Sequence, residues 1–257
     1  PVFAPWDQLV QWHGVENTLM DLAVRPEFMH KMVARLTKAH MTMLDQLEAQ
    51  GLLGYGQQRI HCTGAHTDEL PASGFDASHP RPSDLWTYAM AQVFVGVSPA
   101  MHKEFEIDYA VDWAERFGLV YYGCCEPLHN KVDIIRELPH VRKISMSPWV
   151  DVEVGARNIG GDYVFSRKPS PAFLAPDVWS PEAVEADLRE QARGALRRRR
   201  CRGPRSRAER SVGSRRGAGH GRRNHFSPRF HRPFPASFGA ERDQLSRFPP
   251  LPVPAVG

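Results

Sequence analysis

Apolar residues recur at every third or fourth position from Arg25 to Gln50, through Phe28, Met29, Met32, Val33, Leu36, Met43, Leu44 and Leu47. That period predicts a long amphipathic helix with those side chains turned inward. Pro26 suits its first turn and Gly51 its C-terminal stop. Residues 53–84 lose the period and are rich in Gly, Pro, His and Asp, which predicts a long irregular segment of the kind that carries function or stays disordered. Regularity returns with DLWTYAMAQVF, read as a helix. Ser98 and Pro99 then open a further helix to about Phe117, with Met101, Phe105, Trp113, Ala114 and Phe117 inward and Gly118 at its end. Short apolar runs at 119–123, 141–147 and 162–166 read as strands. Helices are expected at about 130–138, at 151–159, and after Ser180, which caps PEAVEADLREQAR. Helix and strand alternate with short connections, the pattern of a parallel α/β protein, either a barrel or an open doubly wound sheet.

Charge divides the chain. From Leu196 onward there are 16 Arg, no Lys and three acids (Glu209, Glu241, Asp243), a net of +13, whereas residues 1–195 hold 17 basic and 26 acidic residues, a net of −9. Two segments follow: a folded part at 1–195 and a disordered Arg/Pro-rich tail at 196–257, too poor in Leu, Ile and Val to offset its ordering entropy. An Arg tract of this kind binds nucleic acid through phosphates. The same Arg, Gly, Pro and Ser mixture without Lys also arises when a GC-rich gene is read out of frame, and the change at Leu196 is abrupt. Four cysteines (Cys62, Cys124, Cys125, Cys201) and the lack of any apolar run near 18 residues predict a cytoplasmic protein with no membrane partner.

In parallel sheets, ligands gather where strands reach their carboxyl ends. Here those ends are Gly123-Cys124-Cys125-Glu126, Ser147-Pro148-Trp149 and Ser166-Arg167-Lys168-Pro169. No G-x-G-x-x-G or Walker loop follows any of them, which removes the usual nucleotide-binding signal. Tyr122 is expected to share a face with Cys124 by the period of two, and Lys168 stands at a strand end. Glu126 reads equally as a ligand, an acid/base group or an acid favoured at a helix N-terminus. Asp68 and Glu69, in the loop TDELP, are expected to reach over the mouth of the site. His61, Cys62 and His66 lie at spacings of one and four on a loop, a weak metal signal.

The order ENTLMDLAVRPEFMHKMVARLT, VSPAMHKEF, LVYYGCCEPL, KISMS and YVFSRKPSP, spanning about residues 6–195, resembles the uroporphyrinogen decarboxylase superfamily. The resemblance implies a (β/α)8 TIM-type barrel, here partial and lacking its first strands and its last, and so a fragment not expected to turn over by itself. The superfamily includes the porphyrin-pathway decarboxylase and zinc-dependent methyltransferases that work with corrinoid proteins. The methyltransferase branch implies a small-molecule substrate, a corrinoid protein as methyl partner, and zinc held by a His-x-Cys pair and a later Cys. Cys124 falls at the Cys position, with Cys125 or Glu126 as substitutes for a missing partner. Tyr122 stands where that branch has His, and the third ligand would lie beyond Leu196. The decarboxylase branch implies a basic cluster for a polycarboxylate, for which Arg142, Lys143, Arg167 and Lys168 are the available residues.

Overall fold

The computed structural model describes residues 1–197, with side chains through Ala195. The Arg-rich tail, its nucleic-acid reading and Cys201 lie outside the described residues. A five-stranded, wholly parallel sheet organises the rest: β1 (Val2–Phe3), β4 (Trp86–Ala89), β5 (Leu119–Tyr122), β6 (Val141–Met146) and β7 (Val164–Arg167), neighbours in that order. A separate antiparallel pair, β2 (Arg59–Ile60) and β3 (Thr63–Gly64), lies in the irregular segment. Because the large sheet runs in chain order, every connection moves one way and no point of reversal exists. Among the described residues the sheet is open, with β1 and β7 at its edges.

One face of the sheet is covered by helices. Leu44 of α3 (Pro26–Ala49), Ala110 and Trp113 of α5 (Asp108–Arg116), Val132 and Ile135 of α6 (Val132–Ile135) and Ile159 of α7 (Val152–Ile159) close over Val120, Tyr122, Ile144 and Met146. The other face is covered by the irregular segment, with Ile60 and Ala65 against Trp86, Tyr88, Leu119, Tyr121 and Cys124. Burial on both faces explains why the strands read as short continuous apolar runs.

The same cause produces the main correction. Residues 84–94, expected to be a helix, hold β4 and a 3-10 turn at Gln92–Gly96. All four β4 residues are buried, so WTYA shows no alternation, and a buried strand and a buried helical turn look alike. Two N-terminal helices, α1 (Pro5–His13) and α2 (Val15–Val24), join the expected ones. In α3, Met29, Val33 and Leu44 are buried as expected, but Phe28 and Met43 are exposed. Gly51 takes a φ of +65° just past that helix, a conformation that suits a residue without a Cβ. The helix expected at 130–138 is the single turn α6, and the last helix among the described residues, α8, spans Pro181–Arg197.

The helix opened by Ser98, whose Oγ accepts from the Met101 N–H at 3.2 Å, begins as α4 (Pro99–His102). It runs on into α5 through a π-turn at Lys103–Ile107. The wider turn brings three successive residues, Phe105, Glu106 and Ile107, to the interior. No helix among the described residues is long and apolar enough to cross a membrane.

Candidate functional site

Adjacent tyrosines at the end of β5 point to opposite faces, as strand geometry requires: Tyr121 to the irregular segment, Tyr122 to the helices. The period then breaks. Gly123 has φ +87°, and a Cβ there would collide with the Leu128 side chain. This turn places Cys124 with Tyr88 and Tyr121, not with Tyr122. The expectation that Tyr122 and Cys124 share a face therefore fails at a single glycine.

Cys124 is held from both sides of its backbone. Its N–H donates to Glu126 Oε2 at 2.7 Å, and its carbonyl accepts from Ser145 Oγ at 2.6 Å. The residue is 5% exposed, and its sulfur meets His61 Nε2 at 3.0 Å, Lys168 Nζ at 3.3 Å and Cys125 Sγ at 3.5 Å. Lys168 arrives from just past β7, where its N–H donates to Met146 O at 2.9 Å. His61 arrives from the turn between β2 and β3 in a left-handed conformation, φ +51°, uncommon for a residue with a side chain. Its ring stacks on Tyr88 at 4.6 Å, and Tyr88 stacks on Tyr121 at 5.3 Å. Cys62, next in the turn, lies 3.8 Å from the Tyr121 hydroxyl.

Burial and the Lys168 charge lower the His61 pKa, so its imidazole is neutral near pH 7. Burial alone would lower the Lys168 pKa, but Cys62, Tyr121 and Cys124 outweigh it and hold the ammonium above its ordinary value. Burial and the neighbouring Cys124 raise the Cys125 thiol. The result is a sulfur between a neutral ring nitrogen and a firmly protonated amine.

Tyr122 opens onto a different cluster, sealed on the helix side. Its hydroxyl lies 2.7 Å from His102 Nε2, while Lys131 Nζ donates to His102 Nδ1 at 3.2 Å and to Phe94 O at 2.7 Å. His102, Glu106 and Glu126 have no exposure at all, and Lys131 is 3% exposed. Both Glu106 oxygens, Glu126 Oε1 and Asp7 Oδ2 lack a hydrogen-bond partner. Burial, then the charges of Asp7 and Glu126, push the Glu106 carboxyl well up. Burial, opposed by a backbone hydrogen bond from Gln92 and reinforced by Glu126, raises Asp7 to about 6. Burial and Lys131 lower His102 to about 3. Burial, against the pull of Glu126, lowers Lys131 to about 8.

Of the residues expected to form a site, Cys124, Cys125 and Lys168 meet, and Glu126 supports them through the backbone. Tyr122 does not face them. Asp68 and Glu69 are both exposed, and Glu69 pairs with Arg142 near the amino end of β6, away from Cys124. His61 and Cys62 join the cluster although their spacing gave only a weak signal, and exposed His66 does not. Asp7, His102, Glu106 and Lys131 carried no signal, because charged residues in helical sequence ordinarily read as a solvated face.

The zinc implied by the superfamily resemblance can be tested against these donors. His61, Cys124 and Cys125 supply nitrogen and sulfur, but the Lys168 ammonium already donates to the Cys124 sulfur, and its charge would repel a metal cation bound there. Among the described residues no group of three or more His, Cys, Asp or Glu side chains is arranged to hold a metal ion. As placed, the residues do not fit a zinc centre. No family model matches the sequence, and neither a curated protein nor a solved structure matches it.

Proposed function

We propose that residues 1–195 are part of a uroporphyrinogen decarboxylase-like (β/α)8 barrel of the methyltransferase type, transferring a small alkyl group at Cys124 with a corrinoid protein as partner. The observation that carries this reading is the one-way order of the parallel strands with Cys124 and Lys168 at their carboxyl ends. Helices on one face only, with an irregular segment across the other, also favour a barrel wall over a doubly wound sheet, which is covered by helices on both faces. The decarboxylase branch draws less support from the four basic residues it would use. Arg142 is paired with Glu69, Lys143 donates to Thr63 Oγ1 and Gly64 O, and Arg167 is bound to Ser147 O and Gln191. Only Lys168 points to the thiols.

Single-turnover incubation of the full chain with methylcobalamin tests the reading. Demethylation, seen as a change in the corrinoid spectrum, is expected with the native chain and lost in Cys124→Ala. Equal spectra with and without protein would sink it.

A further inference from the structure

The mismatch with zinc has a positive side, and it rests on the geometry around Cys124 whether or not the barrel reading holds. We propose that Cys124 and His61 are a metal-independent nucleophile and base, with Lys168 as the cation that balances the sulfur's charge, acting on small neutral carbon electrophiles.

Three features carry this. First, the His61 Nε2 to Cys124 Sγ distance of 3.0 Å is within reach for direct proton transfer. Second, the imidazole is held in place. It stacks on Tyr88, which itself stacks on Tyr121, and its backbone keeps a left-handed conformation that the tight turn imposes. Third, Lys168 donates to the same sulfur at 3.3 Å, which puts a cation beside the nucleophile.

The step balances without a metal or an oxidant. The Sγ–H proton passes to His61 Nε2, the sulfur lone pair forms a bond to carbon, and the carbon–leaving-group bond breaks with its pair on the departing anion. The product is a thioether on Cys124 and an imidazolium on His61, which releases its proton to solvent. Access is from the turn, since His61, Cys62 and Cys125 are all exposed around the nearly buried sulfur. A small uncharged electrophile suits this entrance, because a cation there would meet Lys168.

Iodoacetamide on the full chain, treated beforehand with chelator, is the test, read by intact mass and by mapping the labelled peptide. Cys124 is expected to label faster than the more exposed Cys62 and Cys125. His61→Gln and Lys168→Met are each expected to slow Cys124 labelling by about 10- to 100-fold, with far-ultraviolet circular dichroism unchanged. Labelling of Cys62 or Cys125 first, or an unchanged Cys124 rate in both variants, overturns the pair. So does stoichiometric zinc that protects Cys124 and is lost in Cys124→Ala. The corrinoid experiment can fail while Cys124 labelling persists, and the reverse, so the two readings fall separately.

Discussion

Tyr121 and Tyr122 are chemically identical neighbours, yet they border polar clusters of opposite character. On the Tyr121 side, thiols, an imidazole and an ammonium meet beneath an exposed turn, and each polar group has a partner. On the Tyr122 side, two carboxyls, a lysine and a histidine are shut away from water beside the half-buried Asp7, and four carboxyl oxygens have no partner. Accessible groups with satisfied partners cost little stability and are available for chemistry. Sealed groups with missing partners cost desolvation and make stability depend on protonation. The two clusters should therefore respond to mutation in opposite ways, one in reactivity and the other in folding.

The largest expected effect is on the sealed side. Lys131→Met removes the cation bonded to His102 and Phe94 and leaves the buried acids unbalanced. A loss of about 3–5 kcal/mol is expected, measured as a lower urea midpoint. An unchanged midpoint would show that water reaches this cluster, and the contrast with the thiol side would be lost.

Gly123→Ala comes next, since it tests the element that separates the two sides. A Cβ at φ +87°, directed at Leu128, is expected to cost about 2–3 kcal/mol in chemical denaturation and to slow Cys124 labelling as the sulfur shifts. Full stability together with native labelling would show that the turn tolerates a side chain.

Asp7→Asn probes the pH dependence of the sealed side. The folded Asp7 pKa, about 6, lies above its ordinary 3.8, so the native state holds this proton more tightly than the unfolded chain. Its contribution to stability is complete below about pH 4 and is lost as pH rises to about 6. Asp7→Asn should consequently be more stable than the native chain by about 1–2 kcal/mol at pH 7, with the advantage fading towards pH 4. The difference between the two chains is the quantity to follow. His102, lowered to about 3, acts in the opposite direction over the same range, losing stability as pH falls below 6.5. An advantage that grows on acidification would reverse the assignment.

The smallest effect is expected on the open side. His61→Gly relieves a left-handed backbone at the cost of an exposed ring contact, for a net gain of up to about 1 kcal/mol by thermal unfolding. A loss of several kcal/mol would mean that His61 holds the fold together and does not merely serve the thiol.

The elements that could be read from the sequence are those whose burial matched their period. The helix from Pro26 is of this kind, while the Ser98 cap was legible from its residue type and β5, β6 and β7 as short apolar runs. Strand β4 was not legible because WTYA, fully buried like LVYY, runs without a break into the largely apolar MAQVF, whereas Gly123 ends LVYY. Cys124 and Lys168 could be placed at strand ends, since that rule needs only the strand boundaries. The face of Tyr122 could not, because one left-handed glycine resets the alternation after it. His61 reaches Cys124 across a separation of 63 positions that takes in β4, α5 and β5, a pairing set by tertiary packing and invisible to spacing. Glu106 was hidden by the π-turn, which shifts the helical phase at the point where an acid enters the core.

That π-turn has an evolutionary consequence. It holds one residue more than an α-helical turn needs, so a single deletion between Lys103 and Ile107 would restore the regular winding. Because the turn absorbs its extra residue locally, the helical segments on either side would keep their faces. A lineage could in this way lose the Glu106 carboxylate from the interior in one step, by deletion of that residue itself. Loss of one codon would thus remove a fully buried acid of this cluster and leave Glu126, His102 and Lys131 in place.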